Sequence, residues 1–328
     1  MLLRYDLGFK VNLVKANVSL AGQFIYMFRI FRRLSPKTIA LINQIVYIYL
    51  SYRRSSPKTL NIVNMPIDSK RRKNVFRLVP EGVLVSRKWL LDHELSNHAI
   101  DNLLKSNQLT TVKNGIYKRE GSIVDWGDVV YFLQRAQKTD LTIGGITALE
   151  LQKLSHYLAL SKKRTVHLYG KEALPGWLNR ATDSANFIKH SLADLLGQPV
   201  TQTLQGQLYN FTKTLSWKDS KEGLRLSTPE RAILEVLNDV PAKISFEHAD
   251  ELMQGLTTLS PRALQQLLEI FNNVKVRRLF FYFAEKQNHP WLAKLNKAGL
   301  NFGSGNRVVA KGGHLNKKYQ ITVPASYE

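Results

Sequence analysis

The stretch from Ser86 to Arg119 limits local structure more tightly than any other part of the chain. Ser86 and Ser96 each precede a short run with helical periodicity. Serine is a favoured N-cap residue, because its hydroxyl accepts a hydrogen bond from an otherwise free backbone N–H. Asn114 and Gly115 then separate two strand-like runs, and this dipeptide favours a tight hairpin turn because both residues tolerate positive φ. The stretch predicts two short helices followed by a β-hairpin.

The second of these helices divides into an apolar and a polar half. Leu95 precedes the cap and Ile100 lies one turn in, which is the spacing of a hydrophobic staple. At 3.6 residues per turn, one arc holds the apolar side chains of Ala99, Ile100, Leu103 and Leu104. The opposite arc holds Asn97, His98, Asp101, Asn102 and Lys105. These are mostly short, directional groups of the kind that contact base edges in the major groove.

Residues 66–122 are therefore predicted to form a winged helix-turn-helix that binds DNA, with the polar helix as recognition helix. The upstream segment "SKRRKNVFRLVP" would supply the first helix of a three-helix unit. The predicted DNA-binding residues are Arg87, Lys88, Ser96, Asn97, His98, Asp101, Asn102, Lys105, Lys113, Asn114, Lys118 and Arg119. The alternative is a protein-interaction module whose polar helix face is only solvated.

The charge of the chain agrees with a polyanionic partner. A formal net charge of +22 over 328 residues favours nucleic acid as the partner class, with a membrane surface second. The chain contains no cysteine, which excludes disulfides and thiolate metal sites and suits a reducing cytosol. We therefore expect a cytoplasmic protein.

Residues 1–64 differ from the rest of the chain. They are strongly basic, with Asp6 as their single acid, and "RRLSPKTIALIN" at 32–43 recurs as "RRSSPKTLNIVN" at 53–64. A 21-residue repeat in so few copies does not build a solenoid. We expect a translated upstream DNA repeat, with Met65 as the natural start. A basic, amphipathic membrane-surface segment is the alternative.

Residues 126–328 mix helix and strand patterns without regular βαβ alternation, which predicts an α+β fold. Helices are predicted for "WGDVVYFLQRAQ", "GGITALELQKLSHYLAL", "LSTPERAILEVL", "SFEHADELMQGL" and "SPRALQQLLEIF". In the third of these, Ser227 and Glu230 have the spacing of a capping box. "RTVHLYG" predicts a strand, "VKVRRLFFYFAEK" a strand running into a helix, and the tail a terminal hairpin.

We find little support for catalysis in this half. The glycine-rich "GSGNR" at 303–307 favours a turn over a phosphate-binding loop, and the histidines lack metal-ligand spacing such as HExxH. No cofactor, metal site or enzymatic activity is predicted. A second basic surface is predicted at Lys275, Arg277, Arg278, Lys317 and Lys318. It is either a solvated face or a landing surface for an acidic protein or an RNA.

Several blocks occur in a fixed order between about Ile67 and Pro324. They include "PEGVLVSRKWLLDHELSNHAIDNLLKSNQL", "GGITALELQKLSHYL", "HLYG", "LRLSTPERAILEVL", "FEHADELMQGL", "VKVRRLFFYFAE" and "GGHLNKKYQITVP". In this order they closely resemble the AbiEi family of antitoxins, from the abortive-infection, type IV toxin–antitoxin systems of bacteria. Residues 1–64 have no counterpart in the resemblance.

The resemblance implies a winged-helix domain that represses its own operon by binding promoter inverted repeats. By position it gives Ser96–Ser106 as the recognition helix and Leu109–Arg119 as the wing. It also implies a C-terminal antitoxin domain that starts near Trp126 and extends over 126–328. The partner gene would encode a nucleotidyltransferase-like toxin, whose effect is countered often without a stable complex. The predicted antitoxin surface rests on charge alone.

The sequence thus predicts a non-enzymatic antitoxin that also represses its own operon, with double-stranded promoter DNA and the toxin or its target as partners. Three alternatives stay open. They are a regulator without antitoxin role, a membrane-surface protein that uses residues 1–64, and an enzyme that acts on nucleic acid.

Overall fold

The computed structural model describes residues 78–155, 163–218 and 222–327. The basic extension at 1–64 lies outside these residues. So does the expected first helix of the three-helix unit, except for its end at Leu78. The complete winged-helix assignment and the nature of the extension therefore stay predictions. In the described parts of the chain, no helix combines the length and apolar content needed to cross a membrane.

Residues 78–122 form two short helices and a small antiparallel sheet. The elements are β1 (Val85–Ser86), α1 (Arg87–Asp92), α2 (Asn97–Lys105), β2 (Leu109–Lys113) and β3 (Ile116–Arg119). The strand order is β1-β3-β2. Both predicted serine caps are confirmed, because Ser86 Oγ accepts from the N–H of Trp89 at 3.0 Å and Ser96 Oγ from that of Ala99 at 3.1 Å. The predicted hairpin is confirmed as well, with Gly115 at φ +80° in its turn.

The rest of the described chain combines many short elements. The helices are α3 (Trp126–Tyr131, continued by a π-turn at Phe132–Ala136), α4 (Gly145–Leu151), α5 (Leu178–Ala181), α6 (Leu192–Leu196), α7 (Gln202–Tyr209), α8 (Pro229–Asp239), α9 (Phe246–Gly255), α10 (Pro261–Ile270) and α11 (Val274–Lys286). The strands are β4 (Thr142–Ile143), β5 (Arg164–Tyr169), β6 (Ala185–His190), β7 (Thr212–Leu215), β8 (Leu224–Ser227), β9 (His314–Asn316) and β10 (Ile321–Val323).

Strands β4 to β8 form a mixed sheet in the order β6-β5-β4-β8-β7. The β5/β6 and β4/β8 pairs are parallel, whereas β4/β5 and β7/β8 are antiparallel. Strands β9 and β10 form the separate terminal hairpin that the sequence predicts. With helices and mixed sheets in one chain, the α+β fold class is confirmed.

The main core lies around α8, which packs against α4, α10 and α11. Helix α8 begins at Pro229, a favoured first-turn residue because its missing N–H has no helical partner to lose. Ile233 and Leu237 of α8 are fully buried, as are Phe280 and Phe283 of α11. Burying side chains of this size contributes ~1.5–3 kcal/mol each. The helices are therefore held by packing rather than by intrinsic propensity.

Three local predictions in this half are wrong. The helix expected across "GGITALELQKLSHYLAL" ends at Leu151, and part of that segment lies outside the described residues. Ser227 is the last residue of β8 rather than a cap, and Glu230 accepts instead from the N–H of Ser260 at 2.9 Å. The segment "VKVRRLFFYFAEK" is one continuous helix, α11, capped by Asn273.

The described residues belong to one compact unit. Within it, Leu84 and Ile116 belong to the same buried cluster as Trp126, so the predicted domains share core contacts. A second cluster is confined to the N-terminal part and comprises Val79, Val85, Leu90, Ile100, Leu109 and Tyr117. The division into 66–122 and 126–328 stays a prediction.

Candidate nucleic-acid interface

Helix α2 is anchored by its apolar half. Ile100 is fully buried and packs with Leu90 of α1 and with Leu109 and Tyr117 of the hairpin. Leu103 and Leu104 are partly buried against the same cluster. The anchor follows from the sequence, since these residues recur at helical spacing on one side of α2.

The other half of α2 faces outward. We call the side chains of Asn97, His98, Asp101, Asn102 and Lys105 the polar face of α2. Asp101 is half-buried, and the other four are exposed. The packing of α2 therefore leaves amide, imidazole and ammonium groups in solvent beside the hairpin.

Arg87 joins this face to the two neighbouring elements. Its Nε donates to Asn97 Oδ1 at 2.9 Å and its Nη2 to Asp101 Oδ1 at 2.9 Å. Its Nη1 donates to the hydroxyl of Tyr117 in β3 at 3.3 Å. The hydrogen bonds that it donates to Tyr117 and Asp101 raise the pKa of Arg87. One guanidinium from α1 thus holds the start of α2 against the hairpin.

This network occupies three of the predicted DNA-binding residues, Arg87, Asn97 and Asp101, with contacts to one another. A bidentate contact from Asn97 to adenine needs both its carbonyl and its amino group, and Arg87 already engages the carbonyl oxygen. Asp101 is likewise engaged by Arg87. The members of the polar face that are exposed and outside this network are His98, Asn102 and Lys105.

The hairpin also divides into two parts. Lys113 and Asn114 are exposed at its tip. At its base, Lys118 Nζ donates to the carbonyl of Ser122 at 3.0 Å, and Arg119 lies 3.4 Å from a carboxylate oxygen of Glu81. Lys118 and Arg119 therefore brace the hairpin, while the tip is open to a partner.

The charge of this region is nearly balanced. Residues 78–122 hold six Lys/Arg and five Asp/Glu. The cations are Arg87, Lys88, Lys105, Lys113, Lys118 and Arg119, and the acids are Glu81, Asp92, Glu94, Asp101 and Glu120. The positive charge of the whole chain is thus concentrated elsewhere, including the run Lys70–Lys73 outside the described residues.

The prediction of a second basic surface is wrong for Arg277 and Arg278. Arg277 and Arg278 are only 4% and 1% exposed. Arg277 Nε donates to the carbonyl of Leu268 at 3.0 Å, and Arg278 donates to the carbonyls of Phe302 and Gly305, both at 2.7 Å. Burial lowers the pKa of both guanidinium groups. Their hydrogen bonds hold α11 against neighbouring chain segments, and the two guanidinium groups are not accessible to a partner.

The remaining three members of that set differ in their surroundings. Lys275 Nζ donates to the carbonyls of Asn238 and Val240 at 2.7 and 2.8 Å, which satisfies free groups at the end of α8. Lys318 is exposed but lies 2.6 Å from Glu285. Lys317 is exposed. The predicted set does not form one basic surface.

The fold also brings together two histidines and an aspartate for which the sequence analysis predicted no metal site. His167, His190 and Asp239 are all buried, and each offers a ligand atom within 4.8 Å of the others. His190 pairs with Tyr169 across the parallel β5/β6 strands, so it shares a face with His167 two residues earlier. Asp239 ends α8. Local spacing rules cannot find such a set, because its members are distant in sequence.

Two family models together match most of the chain. Residues 69–160 match the N-terminal domain of the transcriptional regulator, AbiEi antitoxin. Residues 163–324 match the transcriptional regulator, AbiEi antitoxin, of type IV toxin–antitoxin systems. The chain belongs to the AbiEi antitoxin family. The resemblance inferred from the sequence blocks is thereby confirmed.

A comparison with curated proteins gives no match. Among solved structures, the chain is similar to the RV2827C protein from Mycobacterium tuberculosis at 18% identity and a TM-score of 0.46. That likeness covers 79% of this chain and 92% of the other.

The five-stranded sheet contains strands from both AbiEi matches. Strand β4 belongs to the N-terminal match, yet it pairs with β5 and β8 of the C-terminal match. The two matched regions of this AbiEi chain are therefore linked by backbone hydrogen bonds. The family is that of an antitoxin and transcriptional regulator of a type IV toxin–antitoxin system.

Proposed function

We propose that this AbiEi chain represses its own operon by binding inverted repeats in its promoter, with α2 in the major groove and the β2–β3 hairpin as the wing. The observation that carries the proposal is the outward display of His98, Asn102 and Lys105 by a helix whose other half is anchored. Imidazole and amide groups can make hydrogen bonds that discriminate bases, and lysine reaches guanine or phosphate.

One α2 reads only a half-site. Inverted repeats would engage two copies of the chain, with half-sites ~10 bp or a multiple apart so that both helices enter the same side of the duplex. The Arg87 network supports this reading, because it fixes the angle between α2 and the hairpin that both must present to one groove.

The proposal is tested by the binding of the full chain to its promoter fragment and to a shuffled fragment of equal composition, at the same salt concentration. Loss of one base contact costs ~1–3 kcal/mol, so His98→Ala and Asn102→Ala should each weaken promoter binding about 5- to 150-fold. Asn186→Ala, at an exposed position of β6, is the matched control and should bind as the wild type does. Equal binding of both fragments, or variants indistinguishable from the control, would overturn the assignment.

We also propose that the chain counters a nucleotidyltransferase-like toxin encoded by the neighbouring gene, acting on the toxin or on its target. The family match over residues 163–324 supports this role. Expression of the toxin alone should stop growth, and co-expression of the full chain should restore it. The His98→Ala and Asn102→Ala variants should restore growth as well, since the two roles use different parts of the chain. Failure of the wild type to restore growth would refute the antitoxin role alone.

Neither role needs catalysis by this chain. The buried Arg231–Glu235 pair, at 2.7 Å, has the hydroxyl of Ser227 and the N–H of Gly145 as further partners, which is typical of a structural ion pair. We expect no turnover of DNA or RNA when the purified chain is incubated with nucleic acid and divalent metal ions. Metal-dependent cleavage or modification would favour the enzymatic alternative.

A further inference from the structure

We propose that His167, His190 and Asp239 form a binding site for one divalent transition-metal ion of the Zn²⁺ class, which joins the β5–β6 edge of the sheet to the end of α8. The proposal is independent of DNA binding and of toxin neutralisation. It rests on the donor set, on its burial and on the orientation of His190.

The donor set suits such an ion. Two imidazoles and one carboxylate are ligands that Zn²⁺ takes in three-residue sites, with a fourth position left for water. The side chains are 8%, 2% and 7% exposed for His167, His190 and Asp239. Apolar burial of uncompensated polar groups is costly, so groups buried to this degree are held by specific partners.

The orientation of His190 is the second argument. Its Nδ1 lies 3.2 Å from Asp239 Oδ1 and 3.4 Å from Lys243 Nζ, and its Nε2 lies 2.9 Å from Nδ1 of His167. The imidazole of His190 therefore lies between the other two residues of the set. The short distance between the two ring nitrogens means that they share one proton, and a metal ion that binds both nitrogens would replace this proton.

The distances leave room for the ion after small shifts. Zn²⁺ bonds of ~2.0–2.1 Å in tetrahedral geometry separate two ligand atoms by ~3.3–3.4 Å. The His167 Nδ1–His190 Nε2 distance is 2.9 Å, and His167 Nδ1 lies 3.9 Å from Asp239 Oδ2. These two distances need to change by about half an ångström each, and the ligand atoms of all three residues already lie within 4.8 Å of one another. Side-chain torsions can turn the three donors toward one point.

Lys243 faces the same cluster and acts against the ion. Its Nζ lies 3.4 Å from His190 Nδ1 and 3.5 Å from Asp239 Oδ1. An ammonium group there balances the carboxylate when no metal is bound and repels a divalent cation. Since the Lys243 side chain is 45% exposed, it can swing into solvent as the ion enters. The proposal therefore predicts that Lys243 weakens metal binding.

The experiment titrates the metal-free full chain, purified without a histidine tag, with Zn²⁺ alone and follows heat and melting temperature. We expect one ion per chain and a rise in melting temperature that grows with free Zn²⁺, because the ion binds only the folded state. Substitution with Co²⁺ should give the visible absorption of a four-coordinate site. Lys243→Met should increase the affinity for Zn²⁺ at least several-fold.

The ligand variants separate this site from surface histidines such as His93, His98 and His314. Asp239→Asn and His167→Asn keep side-chain size and some hydrogen bonding, and each should abolish the one-to-one uptake and the Co²⁺ spectrum. His289→Gln is the matched control, since that buried histidine bonds the carbonyl of Met253 instead and should leave uptake unchanged. Uptake that is absent in the wild type, or that survives both ligand variants, would show that the cluster is only a hydrogen-bond chain.

Should a ligand variant fail to fold, Lys243→Met decides the question by itself. Its substitution removes no ligand, and Lys243 is partly exposed. An unchanged or weaker Zn²⁺ affinity in Lys243→Met would contradict the proposed position of the ion.

Discussion

Arg87 Nη2 lies 2.9 Å from Asp101 Oδ1, which joins the first residue of α1 to the middle of α2. Both residues were predicted to contact DNA, but in the fold they form an ion pair with each other. The polar face of α2 is therefore partly preorganised by an internal ion pair. Its cation is withheld from phosphate as long as Asp101 is charged.

Asp101→Asn should therefore increase the salt dependence of DNA binding. Arg87 loses its carboxylate partner and becomes available to a phosphate, which adds up to ~0.9 to the slope of log affinity against log salt. Stability should change little, because the pair is partly exposed and solvent screens it. Binding isotherms at a series of salt concentrations measure the slope. A slope equal to that of the wild type would mean that Arg87 stays bound to Asn97 and Tyr117.

Lys113→Ala tests the tip of the hairpin. An exposed lysine that contacts phosphate should contribute equally to every DNA sequence, so promoter and shuffled fragments should lose the same affinity. The salt slope should fall by ~0.9. Lys213→Ala, at an exposed position of β7, is the control and should change neither quantity. A loss confined to the promoter fragment would instead assign Lys113 to base recognition.

Arg278→Met should destabilise the fold without changing any interface. The substitution keeps an apolar stem of similar length but removes the donors to the carbonyls of Phe302, Gly305 and Gln320. These hydrogen bonds are partly buried, so we expect their loss to cost ~2–4 kcal/mol in total. The midpoint of urea unfolding measures it.

Lys317→Met is the control for that experiment, because the side chain is exposed and should change stability by less than ~0.5 kcal/mol. If Arg278→Met unfolds at the same urea concentration as the control, the guanidinium is not a structural tie.

The outcome for Arg278 shows where prediction from sequence works in this chain and where it stops. Ser86, Ser96 and Asn114 were placed correctly because a cap or a hairpin turn is decided by atoms within about four residues. The partners of Arg278 lie 24 to 42 residues away, and nothing local separates it from an exposed arginine. Burial of a charged group is a tertiary property, so periodicity cannot reveal it.

The same limit explains why a strand was predicted at the start of α11 and why the histidine cluster was not predicted. In α11 the alternation of Val274, Lys275 and Val276 is typical of a strand, yet packing on the core favours a helix that buries residues 277–284. His167 and His190 come together through strand pairing, and Asp239 reaches them through the packing of α8 on the sheet. The α2 face was found because its residues adjoin in sequence, and the histidine cluster was missed because its residues do not.

Glu285 should make the fold more stable above about pH 4.5 than at lower pH. Burial alone would raise its pKa, but hydrogen bonds from Lys297, Lys318 and Tyr319 outweigh it and lower the pKa from 4.5 to about 2. A carboxylate with a lowered pKa in the fold contributes stability above its unfolded pKa, and that contribution is lost as the pH falls through the folded value. The window is therefore pH 4.5 to 2. Because Lys297 and Lys318 are 39% and 65% exposed, we expect roughly 1 kcal/mol after solvent screening.

Glu285→Gln isolates this contribution, because it keeps the shape of the side chain and removes the charge. The difference in unfolding free energy between wild type and variant should be largest near neutral pH and shrink as the pH falls from 4.5 towards 2. Glu251→Gln, at an exposed position of α9, provides the control for carboxylate loss on an open surface. Urea unfolding at pH 7, 5, 4 and 3 gives the comparison. A difference that is constant over this range would mean that Lys297 and Lys318 stabilise the fold through packing rather than through the charge of Glu285.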